Sequence, residues 1–149
     1  MLEWNPSISV NDATIDSQHQ KLLHQINVLL ETIRSHSEKE KTEESLKFLD
    51  DYINDHLAYE EVYMKKHQYP AYKEHKQIHQ TFKKRYKAFK IELKTESNEV
   101  VTNNIENFLA NWWWNHISVE DQKYQDYIEL IGKVHLKKES ENFHQTIQS

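Results

Sequence analysis

Seven residues of this chain carry metal-ligating side chains at spacings that helices can bring together. His56 and Glu60 stand four apart, as do His75 and His79, with the turn signal Tyr69-Pro70 between the two pairs. Residues four apart on a helix lie on one face, one turn above the other. Two such pairs on helices joined by a short turn point four ligands into a single gap. His19 upstream, and His116 and Asp121 downstream, complete the set. Five imidazoles and two carboxylates exceed what one first-row ion accepts, so the set suits two ions. Imidazole binds Fe, Zn and Cu, and mixed His/carboxylate sites with open positions suit non-haem Fe(II). The residue types alone leave the metal open.

Positioning such a set falls to helices. A single Gly and two Pro in 149 residues leave little material for tight turns or strands, so the chain reads as all-α. We expect one domain over residues 1–149: an arm over 1–11, a bundle over 12–127 and a C-terminal extension over 128–149. In the arm, Trp4, Ile8 and Val10 are expected to pack onto the body. A first helix should run from Ala13 to Ser35, capped by Asn11 or Asp12, with the stripe Ile15, His19, Leu22, Ile26, Leu29 and Ile33. The polar run from Ser35 to Glu44 is expected to make a solvated connection.

A second helix, Glu43 to His67, carries Leu46, Leu49, Ile53, His56, Glu60, Tyr63 and His67. A third begins at Pro70 with Tyr72, His75, His79, Phe82, Tyr86, Phe89 and Leu93. A fourth follows a cap at Ser97 or Asn98 with Val101, Ile105, Phe108, Trp112, His116 and Val119. Four amphipathic helices with short connections make an antiparallel up-down-up-down four-helix bundle. The extension should continue as helix through Leu136 and fray beyond it.

The polar candidates sit inside the apolar stripes. A buried ionisable group without a partner costs several kcal/mol, by order of magnitude, so six of them at core positions call for a shared partner. Their depths agree as well. His19 and His75/His79 lie near helix starts, whereas His56/Glu60 and His116 lie near helix ends, which is one end of an antiparallel bundle. Asp121 fits less simply. It follows His116 by five residues, about 140° away around an ideal helix, so a π-bulge or broken turn is expected near Ser118-Val119.

A lone histidine in an apolar stripe is more often a hydrogen-bonded core residue than a ligand; the alignment of all seven argues for ligands here. His24, His36, His135 and His144 read as surface residues, and His67 either supports the site or marks the bundle end. Trp112-Trp113-Trp114 reads as core packing with one indole turned outward, and Lys83 to Lys94 as a solvated face. The absence of cysteine removes disulfides and thiolate chemistry. A net charge of −5 argues against nucleic-acid binding. No apolar run approaches the roughly 18 residues of a membrane span, and MLEWNPSISV lacks the pattern of a signal peptide. The expected setting is the cytoplasm.

Taken together, Ile15-Asp16-x-Gln18-His19, His56-x-x-x-Glu60-Glu61, His75-x-x-x-His79 and Trp112-x-x-x-His116-Ile117, followed by Asp121 and Tyr124, resemble the bacterial hemerythrins. The resemblance spans roughly Trp4 to Tyr127. It implies two non-haem iron ions joined by an oxo or hydroxo bridge. His75, His79 and His116 would saturate one iron, His19 and His56 would bind the other, and Glu60 and Asp121 would bridge them. It implies O2 as ligand at the open position, bound reversibly for storage, transport or delivery, and a binding protein rather than an enzyme. Trp112, Trp113 and Ile117 would line the oxygen pocket. Trp113 departs from the smaller aliphatic common in the family and would narrow the cavity or its entrance. Asn11 stands where the family often has Gly, and Asn tolerates the same turn. Two other functions stay open: oxygen or redox sensing through a partner-binding surface, and a di-iron enzyme acting on peroxide or nitric oxide.

Overall fold

The computed structural model describes residues 2–35, 39–95 and 99–148, with side chains described through Lys138 apart from His135. Every regular element among them is helical. Helix α1 spans Ala13–Arg34, α2 Lys39–Lys66, α3 Tyr72–Thr95 and α4 Glu99–Asn115. A five-residue π-helical turn, His116–Glu120, leads without interruption into α5, Asp121–Gln148. Helix α1 packs against α2 and α4, and α3 packs against the same two. The result is the expected all-α four-helix bundle, in which α4, the π turn and the start of α5 together form the fourth rod.

Helix α1 starts where its chemistry dictates. Asp12 in extended backbone caps it by accepting from the Ile15 N–H at 2.9 Å, and Asn11 before it adopts φ 54°. Asp16 in the first turn ties down the arm, accepting from the Val10 N–H at 2.9 Å and from Ser9 Oγ at 2.5 Å. Ile8 and Val10 are buried, and Trp4 packs against the core, as the arm was expected to do. Fully burying an Ile or Leu contributes roughly 1.5–3 kcal/mol. The buried stripe Ile15, Leu22, Ile26, Leu29 and Ile33 therefore holds α1 in place.

The helix boundaries differ from expectation in instructive places. Helix α2 begins at Lys39 rather than Glu43, because Lys-Glu-Lys-Thr contains nothing that stops a helix and Lys39–Glu43 forms an exposed i,i+4 pair. Its other end is a Schellman turn. The Tyr69 N–H reaches back to Met64 O at 3.0 Å and the Gln68 N–H to Lys65 O at 3.1 Å, with Gln68 in the left-handed region at φ 55°. Helix α3 therefore starts at Tyr72 and not at Pro70, which falls in the turn. The proposed caps Ser97 and Asn98 lie outside the described residues, as do residues 36–38 of the polar connection.

At the other end of the chain, α5 continues to Gln148 instead of fraying after Leu136. No proline follows Asp121 to interrupt it. It also runs through residue 127, where the extension was expected to begin. No helix among the described residues is long and apolar enough to cross a membrane.

Candidate metal centre

Near one end of the bundle the apolar stripes give way to polar residues buried away from solvent. His19 comes from α1, His56 and Glu60 from α2, His75 and His79 from α3, His116 from the π turn and Asp121 from the start of α5. All seven are at most 3% exposed. They form two groups whose ligand atoms lie within 4.8 Å of one another: Glu60, His75, His79 and His116 in one, and His19, His56, Glu60 and Asp121 in the other.

The π turn delivers Asp121. Its N–H bonds to His116 O, five residues back, so the two side chains share a face that a regular α-helix would not give them. The wider turn also rotates its own side chains, and Val119, expected in the core stripe, is 44% exposed. Ser118 Oγ donates to Trp114 O at 2.6 Å, and Gln122 Nε2 donates to Ile8 O at 3.0 Å and to Ile117 O at 3.4 Å. These side chains occupy carbonyls at and around the irregular turn.

The two carboxylates stand between the groups. Glu60 Oε1 lies 2.8 Å from His75 Nε2, 3.0 Å from His79 Nε2 and 3.3 Å from His116 Nε2. Its Oε2 lies 3.1 Å from His56 Nε2 and 3.8 Å from His19 Nε2. Asp121 repeats the division: Oδ1 is 3.2 Å from His75 Nε2 and 3.1 Å from His116 Nε2, while Oδ2 is 3.0 Å from His19 Nε2. Each carboxylate thus gives one oxygen to each group.

Glu60 Oε1 is placed to hydrogen-bond His75, His79 and His116, but the remaining contacts are close without being aligned as hydrogen bonds. Both Asp121 oxygens and the Nε2 atoms of His19 and His56 have no hydrogen-bond partner, and His79 Nε2 faces His116 Nε2 at 3.1 Å. Buried polar atoms are normally satisfied, and one left unpaired costs about 1–3 kcal/mol. Atoms that crowd together while aiming past one another are arranged as ligands around shared points. The donor set fits a pair of cations.

Electrostatics says the same for the metal-free chain. Burial by itself would lower His19 and His75, but the Asp121 and Glu60 carboxylates beside them outweigh it and push both up to about 9. His116 is pushed up to about 10 against its burial, chiefly by the charge of Asp121. His56, wholly buried, is held below its ordinary value by desolvation, which exceeds the pull of Glu60. Burial would raise Glu60, but the imidazoles of His116, His19 and His56 hold it well below the usual carboxylate range. Asp121 is lowered too: burial and the charge of Glu60 raise it, and His116 and His19 prevail. A cluster that needs positive charge at its centre takes it from protons when nothing else is bound.

The comparison that decides the family is a family model, the Hemerythrin HHE cation binding domain, which matches residues 10–128. The chain belongs to the hemerythrin family. Among its relatives, the Bacteriohemerythrin of Stenotrophomonas maltophilia (strain R551-3) is 28% identical over 129 residues, covering 87% of this chain and 82% of the relative. The Bacteriohemerythrin of Pseudomonas paraeruginosa (strain DSM 24068 / PA7) is 29% identical over 140 residues, 94% of this chain and 90% of the relative. This hemerythrin-family chain therefore carries a buried His/Glu/Asp cluster of metal-centre type.

Around the hemerythrin cluster, outward-facing ring nitrogens are held in their turn. His56 Nδ1 pairs with Gln18 Oε1 at 2.8 Å, and His79 Nδ1 with Glu61 Oε2 at 3.1 Å. Such partners fix the ring and its tautomer so that Nε2 points inward. Neither role was read from the sequence, although Gln18 and Glu61 adjoin His19 and Glu60. Tyr124, fully buried, places its hydroxyl 3.4 Å from Glu60 Oε2, and burial first, then the charges of Glu60 and Asp121, push that phenol well up.

Of the three expected pocket residues, Trp113 and Ile117 are fully buried. Trp112 is half-buried and stacks on His116 with ring centres 4.4 Å apart. Trp113 lies 6.0 Å from His56 and 5.8 Å from His116, ring centre to ring centre. Trp114 is the indole turned outward, at 38% exposure. His24 is exposed, whereas His67 packs on Tyr63 at 4.5 Å beside the Schellman turn and belongs to neither ligand group. His36 and the side chains of His135 and His144 lie outside the described residues.

Proposed function

We propose that this chain binds O2 reversibly at a di-iron centre, as a storage, transport or delivery protein and not as an enzyme. In this reading His75, His79 and His116 would hold one iron, His19 and His56 would hold the other, and Glu60 and Asp121 would be shared by both. The single observation that carries the proposal is the unequal division of donors. One group has three imidazoles and the other two, with both carboxylates shared. The His19/His56 side is therefore one protein ligand short, which is where an exogenous ligand has room. A pair of ferrous ions held there would supply reversible two-electron chemistry toward O2.

The chain's own residues do the rest. Gln18 and Glu61 orient His56 and His79. Leu57, Phe82, Trp113 and Ile117, all fully buried, help keep water from this part of the core. A dry wall withholds the protons that would help a reduced ligand leave, and so favours release as O2. The abundance of imidazole over carboxylate favours the reduced ions and supports holding O2 over driving it into a substrate. A cytoplasmic setting with neither nucleic acid nor membrane as partner accords with the net charge of −5 and the absence of cysteine.

The test is stoichiometric. Protein loaded anaerobically with ferrous iron should hold two irons per chain, take up one O2 per iron pair, and return it under argon. Oxygen uptake that continues beyond that ratio in the presence of a reductant would assign the chain to the enzymes instead.

A further inference from the structure

Trp113 contributes more than bulk. Its side chain is fully buried and its Nε1–H has no hydrogen-bond acceptor in the structure. An indole N–H is a donor only, and leaving one unsatisfied in the interior costs about 1–3 kcal/mol. Tryptophan is normally placed in a core only where that hydrogen finds a partner. Phe82 crosses it at 76° with ring centres 5.2 Å apart and Trp112 at 77° and 4.8 Å, and neither ring carries a free acceptor nitrogen or oxygen.

Its place in the fold says where an acceptor would come from. Trp113 precedes His116 and Ile117 by three and four residues on α4, so it covers the same face one turn earlier. Its ring centre is 6.0 Å from that of His56, in the group with fewer imidazoles, and 5.8 Å from that of His116, in the other. The indole therefore borders both half-sites about equally, and only the His19/His56 half is short of a protein ligand. A smaller aliphatic side chain in this position would offer a wall and no donor.

We infer that Trp113 is a ligand-binding residue whose Nε1–H donates a hydrogen bond to the small exogenous ligand at the His19/His56 half of the centre. This rests on the di-iron reading above. The ligand class is a di- or triatomic species with a terminal acceptor atom, such as reduced dioxygen or azide, in keeping with the complete burial of Trp113, Phe82 and Ile117.

The experiment uses the full chain loaded with iron, with azide as probe. Iron content is measured first, in wild type and in Trp113→Phe, which keeps an aromatic ring and removes the donor. Failure of the wild type to hold two irons would overturn the di-iron reading and this inference with it. With two irons in both proteins, azide affinity read from its visible absorption band should fall about 10- to 100-fold in the variant, the range for losing a hydrogen bond to a charged acceptor. Unchanged affinity would overturn the role of Trp113 alone.

A second readout needs no variant. In wild-type protein labelled with 15N-tryptophan, one slowly exchanging indole N–H signal should move downfield when azide binds. If azide binds and no such signal moves, the hydrogen bond does not exist, and an N–H···π contact with Phe82 accounts for the buried donor.

Discussion

Glu60 is the residue on which most of the cluster converges. Its two oxygens lie between 2.8 and 3.8 Å from all five imidazoles. Replacing it with Ala should therefore do two separable things. Iron content should fall below two per chain, because neither half keeps its shared oxygen. The metal-free protein should lose about 3–5 kcal/mol, the usual cost of stranding buried charge by removing its partner, read as a shift in the urea midpoint at pH 6. If Glu60→Ala keeps both irons, the assignment of Glu60 as a bridge is wrong. The ligand candidates were legible in the sequence because each is an ionisable residue in a stripe otherwise apolar. Gln18 and Glu61 were not, since they act through the far side of a ring and leave no break in the hydrophobic pattern. Trp113 was legible as bulk, but its unpaired N–H emerges only once its neighbours are known to be Phe82 and Trp112.

Among the elements, the π turn was foreseeable because a five-residue interval from His116 to Asp121 conflicts with a 3.6-residue repeat if both face the centre. The Schellman turn was hidden, because its left-handed position is filled by Gln68 where glycine is usual. That substitution leaves strain behind. Gln68→Gly should stabilise the protein by about 0.5–1 kcal/mol, relief of a left-handed backbone offset partly by the added freedom of the unfolded chain. A lowered urea midpoint in this variant would mean that the Gln68 side chain makes a compensating contact. Gly132 presents the opposite case. It lies inside α5 with nothing within 4 Å of where a Cβ would stand, so Gly132→Ala should stabilise the helix by roughly 1 kcal/mol. The continuation of α5 past Leu136 was missed because polar sequence without an apolar stripe gives no packing signal in either direction.

For the molecule as a whole, the cluster makes stability depend on pH in a way that metal should abolish. In the metal-free chain, His19 and His75 are raised to about 9 and His116 to about 10 from 6.5. The stability they contribute is complete below about pH 6.5 and is lost as pH rises through the folded values. Glu60 and Asp121 are lowered, so theirs is present above about pH 4.5 and is lost as pH falls. His56, lowered, acts against the other imidazoles and softens the acid side. Chelator-treated protein should therefore have its highest urea midpoint between about pH 4.5 and 6.5 and weaken steadily toward pH 10. Loading with ferrous iron at pH 7 should release protons, since ions displace them from His19, His75 and His116, and the alkaline decline should disappear. An alkaline decline that persists after loading would place the titrating groups elsewhere.

The fold itself was the most legible level, because four stripes at helical spacing and almost no Gly or Pro admit few other arrangements. A visible absorption spectrum tests reversible O2 binding most directly. Iron-quantified protein is reduced without air, exposed to air, then returned to argon. A charge-transfer band should appear with air and leave under argon over repeated cycles. A single irreversible conversion on first contact with air, with no recovery under argon, would contradict reversible O2 binding.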